Sequence, residues 1–314
     1  MFQADVLRWK CFAPHPFWEG SRGYALRHKG GIAAFGCVVP LRFLTSAGAA
    51  ASCNVIDWAA SKAVPGAGIL LYRHIQELAG AMINIGGSTD AFRVLPSIGF
   101  QTGADRHNYR RVLRPWRYLR RFGQKDWKAP LRLARDYRAL ARRGAAANRR
   151  DLEARRLASF DAVTEEVFPD PSIVGRAVCA RTAQSLNYFL ACPAAHMEAY
   201  LLERGHAPAG YFVLSRVGGR CRIADLWIRS ADPLDWAAAY LAATDAACAD
   251  PDLVEVTAAV CAPFETGALE RAGYRRTHAE PVFVLDRDRR LGDKNDLSVT
   301  LLENDGFYWR EPGA

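Results

Sequence analysis

Gly66 and Gly68, one residue apart in VPGAGILLYRHIQELAG (64–80), are the residues whose type and spacing first suggest chemistry. They open an apolar-periodic run that reads as a helix, and SCNVIDWAAS just upstream reads as a strand. Glycines at such a bend let the backbone approach a ligand closely and adopt positive φ. The first N–H groups of a helix lack internal acceptors and sit at the positive end of its dipole. A diphosphate fits that setting without a lysine. Asp57, the one carboxylate on the strand, could take up a proton or bond the neighbouring backbone. On the helix, Tyr72 and His74 carry titratable groups, and His74 could titrate near neutrality.

Other chemistries find little support in the residue pattern. Eight cysteines (Cys11, Cys37, Cys53, Cys179, Cys192, Cys221, Cys248, Cys261) stand singly, mostly inside apolar runs, and read as reduced core thiols. Seven histidines are equally dispersed, with no HxH or HxxxH pair, so no metal site is expected. In LSVTLLENDGFYW near the C-terminus, Glu303, Asp305 and Trp309 combine carboxylates with an aromatic ring, which suits amine or sugar recognition as well as a docking strand.

These groups need elements to position them, and 314 residues, half of them apolar, suffice for two domains. The first hundred residues read as a hairpin turning at Gly30-Gly31, a third strand, the glycine bend, and a helix from Gly68 to Ala79. Ile69, Leu70, Tyr72, His74, Ile75 and Leu78 give that helix a broad apolar face. The strand AMINIGG and the short helix DAFRVLPSI follow, closed by Gly99-Phe100. Past residue 180 the same order returns. Strands AYLLER, GYFVLSRV and RCRIADLWI precede a helix opened by Asp-Pro, the strand LVEVTAAV, the helix PFETGALERA, and Gly273-Tyr274. Asp57 then matches Asp225, which suggests a duplication. Between the copies, residues 105–156 hold 18 Lys and Arg against 5 Asp and Glu, a local balance of +13 in a chain of net charge +9. This segment reads as one or two amphipathic helices interrupted near Phe122-Gly123.

The order of elements resembles the GNAT (GCN5-related) N-acyltransferase fold in each half, and the whole resembles tandem-GNAT proteins of bacteria. The expected fold class is therefore α/β: two GNAT-like acyl-CoA N-acyltransferase domains, each a mixed, mostly antiparallel sheet with flanking helices, joined by a basic helical connector. The expected divisions are 1–105, an N-terminal GNAT-like domain; 106–160, the connector; and 161–314, a C-terminal degenerate GNAT-like domain. In the family a Q/R-x-x-G-x-G/A turn receives the pyrophosphate of coenzyme A. Here it aligns with Ala63-Val64-Pro65-Gly66-Ala67-Gly68, both glycines kept and the leading Gln or Arg replaced by Ala63.

The resemblance implies acetyl-CoA, or another acyl-CoA, as co-substrate, bound by Val64, Gly66, Ala67 and Gly68. It implies a backbone oxyanion donor within Asp57–Ala59, bringing in Trp58 and Ala59, and places Asn84 where members bond the pantetheine or a water. Asp57 is the implied base. The family's acid, a Tyr four residues before the closing Gly, is replaced by Leu95, and Glu19 lies in a loop that lines acceptor sites in the family. The second copy carries Asp232, Pro233 and Asp235 at the glycine turn, charges that would repel a pyrophosphate.

The implied activity is an acyl-CoA-dependent N-acyltransferase, acetyl transfer to an amine, with the CoA site in the N-terminal domain and a small-molecule or sugar amine as acceptor. The alternative is a non-catalytic tandem-GNAT scaffold whose basic segment attaches to an anionic partner or membrane surface. Nucleic acid is not expected, since no base-reading motif accompanies the charge. No stretch approaches the about eighteen uncharged apolar residues of a membrane span, so a cytoplasmic location is expected.

Overall fold

The computed structural model describes residues 3–122, 126–141 and 151–309. A first helix, α1 (Ala4–Phe12), precedes the strands β1 (Gly23–His28), β2 (Gly31–Thr45) and β3 (Gly48–Ala60). Next come α2 (Ala67–Leu78), β4 (Ala81–Ile85), α3 (Thr89–Ser97) and β5 (Gln101–Val112). The second series runs β8 (His196–Arg204), β9 (Ala207–Val217), β10 (Arg220–Ile228), α8 (Pro233–Cys248), β11 (Glu255–Val260), α9 (Pro263–Arg271) and β12 (Arg275–Leu285). Both halves thus share one element order. The closing turns Gly99-Phe100 and Gly273-Tyr274 place their glycines at φ 103 and 80, a region that glycine alone enters freely.

Between the two series lie α4 (Pro115–Arg121), α5 (Ala129–Ala141), β6 (Leu152–Leu157), α6 (Pro171–Val174), β7 (Ala177–Cys179) and α7 (Ala183–Leu190); β13 (Leu297–Ser298) ends the chain's strands. Residues 106–112, expected to begin a helical connector, instead continue β5. They pair on both edges, with β12 and β11, and Arg106, Tyr109, Arg111 and Val112 are buried, a strand role that the density of arginines conceals. The expected helical interruption falls at Phe122, which ends α4; Gly123 lies outside the described residues, as do 142–150.

The described strands form one sheet in the order β13-β7-β2-β3-β4-β12-β5-β11-β10-β9-β8-β6, with β1 paired to β2. Its centre is an exchange. β12, from the second series, pairs antiparallel with β4 of the first, and β5, from the first, pairs antiparallel with β11 of the second. Val282 and Val284 of β12 enter a core with Val39, Leu41, Phe43 and Ile83 on one sheet face. Phe283 joins Val38, Leu71, Tyr72, Ile75 and Met82 on the other. The α2 face that packs there is Ala67, Gly68, Leu71, Tyr72 and Ile75, while Leu70, His74 and Leu78 are exposed, so the buried stripe is narrower and rotated from the expected one. The β1–β2 turn is Lys29-Gly30 rather than Gly30-Gly31. Both residues have positive φ (48 and 84), as a two-residue hairpin turn of matching twist requires.

Because β12 completes the first half from the second, a fragment ending at residue 160 lacks the buried core side chains of Val282, Phe283, Val284 and Leu285 and bares the β4 edge. We expect residues 1–160 alone to associate or remain loosely packed in sedimentation and near-ultraviolet circular dichroism. Adding residues 161–314 in trans should restore the full-length spectrum. A monomeric, sharply melting fragment would contradict the exchange.

Candidate active site

β3 and β4 run parallel, but their register holds only for Ser52–Ala81, Cys53–Met82 and Asn54–Ile83. Beyond that point the strands part. β3 carries a bulge against β2, where the register slips between Phe35 and Cys37, and Asp57 in the bulge has φ 54. A short polar side chain tolerates this conformation better than most. At the fork, Asn84 Nδ2 donates to Val55 O (3.3 Å) and Tyr72 Oη (3.3 Å), standing in for the lost ladder bond. Asn84 is 6% exposed, and among the described residues its Oδ1 has no partner. Burial raises the Tyr72 phenol well above its ordinary range.

The gap is a cavity of about 990 Å³. Val55 to Ala60 of β3 form one wall, and Asn84, Ile85, Gly86, Gly87 and the start of α3 the other. Glu280 of β12, with Asn304, Asp305 and Trp309 of the C-terminal segment, also lines it. Of the residues expected at a site, Asp57, Trp58, Ala59 and Asn84 are brought together here. Val64, Gly66, Ala67 and Gly68 do not line the cavity. The Trp58 indole lies between, donating from Nε1 to Gly68 O (3.0 Å) and meeting Tyr72 edge to face (4.9 Å).

The two glycines therefore do different work. Gly66 is the exposed N-cap of α2 at φ 83, with open space around it and no side-chain cap on the helix. Gly68 is buried, and a Cβ there would press on Ala60 Cβ (3.1 Å) and Trp58 Nε1 (3.2 Å). Its smallness is set by Trp58. Lys62, exposed at the end of β3, lines the cavity and supplies a cation that the sequence reading left out. Glu19 is exposed and lines no part of the cavity; His74 is exposed beside Glu77 (3.8 Å).

Asp57 is committed to a partner. Its Oδ2 accepts from Lys10 Nζ at 2.5 Å, with both side chains about 95% buried. Lys10 comes from α1, which sequence periodicity does not reveal, and also lies over the Tyr308 ring (5.2 Å). The backbone of α1 is held by buried Arg22, which donates to the carbonyls of Trp9, Lys10 and Ala13. Beside Lys10, the sulfurs of Cys11 and Cys37 approach to 3.0 Å, and the bond to Cys37 draws the Cys11 thiol down to about 7. All eight cysteines are free thiols, and seven are buried.

The second half has a fork at the equivalent place, and it is shut. β10 and β11 pair as far as Ile223–Ala258, and β10 slips register against β9 between Ile223 and Asp225. There the segment after β13 lies against the strand, with Leu301 N donating to Ala224 O (3.2 Å). Arg181 bridges Asp225 (2.7 Å) and Glu303 (2.5 Å) in full burial. The remaining space is about 20 Å³. The start of α8 is also occupied, since Asp232 accepts from Leu234 N (2.8 Å), and Asp235 is held by Arg204 and Ser230.

This arrangement, a bulged strand parting from its parallel neighbour over a cavity and followed by a glycine-started helix, defines a GNAT-like fold. Solved structures agree. The chain is similar to a GCN5-related N-acetyltransferase from Kribbella flavida (TM-score 0.52, 14% identity, 84% of this chain and 60% of that one). It is similar to another from Anabaena variabilis (0.53, 10%, 89% and 68%). It is also similar to Saccharomyces cerevisiae N-myristoyltransferase with bound myristoyl-CoA and inhibitors (0.60, 11%, 91% and 72%). At such identities the likeness is one of fold, and the chain spans three fifths of the Kribbella protein's length. No protein-family model matches the sequence, and no curated protein matches it. Among the described residues no helix is long and apolar enough to cross a membrane.

Removing Lys10 alone would leave the Asp57 carboxylate buried without its cation. Lys10→Met should cost about 3–5 kcal/mol in urea unfolding. The Lys10→Met, Asp57→Asn pair should recover most of that loss, because Asn tolerates the bulge conformation. Equal losses in the single and double variants would show that the ion pair does not hold the bulge.

Proposed function

We propose that the protein is an acyl-CoA-dependent N-acyltransferase whose donor, acetyl-CoA or a longer acyl-CoA, enters the fork between β3 and β4. The observation that carries this is the fork itself: ladder pairing ends at Asn54–Ile83, and a cavity of about 990 Å³ follows. A pantetheine arm laid against Val55–Ala60 would meet strand backbone, with the bulge at Asp57, Trp58 and Ala59 beside the thioester as oxyanion donor. The bound myristoyl-CoA of the yeast structure supports an acyl-CoA as the co-substrate. The diphosphate would rest on the N-terminus of α2, at Val64, Gly66, Ala67 and Gly68, with Lys62 near. Asp57 stays in the proposal as the carboxylate at the bulge, acting together with Lys10.

Division at 105/106 and 160/161 into two GNAT-like copies and a basic segment, as a tandem protein, is part of this proposal. So is loss of CoA binding in the second copy, supported by its filled fork and its capped helix. Calorimetry with acetyl-CoA should give one site per chain. Gly66→Glu and Lys62→Glu should each weaken it about tenfold or more, since either places negative charge beside the diphosphate. No heat from the native protein, with acetyl-CoA or longer acyl-CoA, would end the enzymatic proposal.

Attachment to a surface has its own observation. On α4, on α5 and just before α5, Trp116 (54% exposed), Trp127 (79%), Leu131 (65%) and Tyr137 (51%) face outward among Arg117, Arg120, Lys128 and Arg138. Exposed aromatic and basic side chains together fit an anionic membrane surface, and would attach the enzyme there. Sedimentation with phosphatidylcholine vesicles should leave the protein in solution, and added phosphatidylglycerol should pellet it. Salt, or Trp127→Ala with Leu131→Ala, should reverse that. Equal binding to both vesicles, or to neither, would count against the surface.

A further inference from the structure

The cavity is lined by four carboxylates, Asp57, Asp90, Glu280 and Asp305, against one lysine, Lys62. Three of the four are accounted for. Asp57 holds Lys10 (2.5 Å). Asp90 is an exposed first-turn residue of α3 near Arg93 (3.9 Å). Glu280 Oε1 accepts from Arg106 Nη2 (2.5 Å), Arg106 Nε (3.1 Å) and Asn108 Nδ2 (3.0 Å). Asp305 is different. Among the described residues no other side chain donates to its carboxylate. Its place is nonetheless fixed, because Tyr308 N and Trp309 N both donate to Asp305 O and the flanking Phe307 is 1% exposed.

Half-burial beside the negative Asp57 pushes the Asp305 carboxyl above its usual range, a rise that Lys10 and Arg106 only partly oppose. A carboxylate so placed is a better proton acceptor than an exposed one. A second residue of the same lining is also incompletely bonded: among the described residues, the buried Oδ1 of Asn84 has no partner. Trp309, half-exposed, adds an aromatic wall suited to a cation.

Resting on the acyl-CoA reading above, we propose that the acceptor is a cationic primary amine and that Asp305 takes its proton. The ammonium gives one proton to the Asp305 carboxylate. The neutral nitrogen then attacks the thioester carbonyl, forming the C–N bond and breaking the C–S bond. The second nitrogen proton passes to the departing thiolate, and Asp305 releases its proton to solvent. Thioester and ammonium thus become amide, thiol and one free proton. An amine that carries a phosphate is disfavoured beside the Asp305 carboxylate.

The test uses the full-length chain with 1,4-diaminobutane as probe and glucosamine 6-phosphate as its anionic contrast. Calorimetry first establishes acyl-CoA binding, then titrates each amine into the CoA-loaded protein. The diamine should bind, and Asp305→Asn should weaken it about tenfold or more while acyl-CoA binding stays unchanged. Thiol release should fall about 100-fold in Asp305→Asn and recover in part in Asp305→Glu. Native kcat/KM should drop as acid protonates Asp305, with Asp57, Lys10, Arg106 and Tyr308 facing it, and this limb should be missing in Asp305→Asn. Failure of the native protein to bind acyl-CoA defeats the underlying reading. Acyl-CoA binding combined with preference for the phosphorylated amine, no diamine affinity, or diamine affinity unchanged in Asp305→Asn overturns the present assignment alone.

Discussion

A strand that leaves its parallel neighbour must do something with the backbone groups it uncovers, and this constraint organises the protein. Asp57 turns β3 out of register at φ 54, and its carboxylate is anchored by Lys10 from a helix forty-seven residues earlier. That buried pair fixes where the fork begins. Asn84 satisfies Val55 O at the crotch, and past it the β3 edge faces space large enough for a ligand arm. The β12 strand holds the far side of β4 against β5, so opening on one edge is matched by firm pairing on the other.

The second half shows what the same geometry becomes when the uncovered groups are satisfied from within. Its aspartate, Asp225, meets Arg181 as Asp57 meets Lys10, and its strand slips register at the corresponding place. There the chain's own segment takes up the freed carbonyl of Ala224. The helix that follows differs in the same sense. Asp232 caps α8 with its side chain, whereas α2 begins at an uncapped glycine. An N-terminus already holding a carboxylate has little left for a phosphate. The two halves, alike in element order, thus differ chiefly in whether backbone polarity is met internally or left open.

Much of this was legible in the sequence, because alternation, helical periodicity and glycine turns are local properties. The matching order of elements, the pairing of Asp57 with Asp225, and the charges at Asp232 and Asp235 all lay in short windows. What escaped was non-local or disguised. Nothing in β12 announces that it pairs with β4, since antiparallel partners are chosen by the whole sheet. The arginines of 106–112 imitate a connector, although Tyr109 and Arg111 are buried in a strand. Lys10 lies on a helix of weak periodicity, and the role of Gly68 depends on a tryptophan ten residues away. The carboxylate of Asp305 was visible in LLENDGFYW, but its want of a side-chain donor among the described residues was not.

That last segment links the two halves most tightly. Between Leu301 and Trp309 it bonds β10 through Leu301 N, receives Asn54 Nδ2 at Glu303 O (2.7 Å), and is held at Phe307 O by Ser215 (2.5 Å). Its aromatic residues Phe307 and Tyr308 pack around Trp9 of α1, whose next residue is Lys10. One stretch of chain therefore fills the second fork, braces the helix that anchors the first, and presents Asp305 to the open cavity. Such a connection makes closure of one fork and furnishing of the other a single structural event. The closed half thus supplies the frame that carries Asp305 to the cavity of the other.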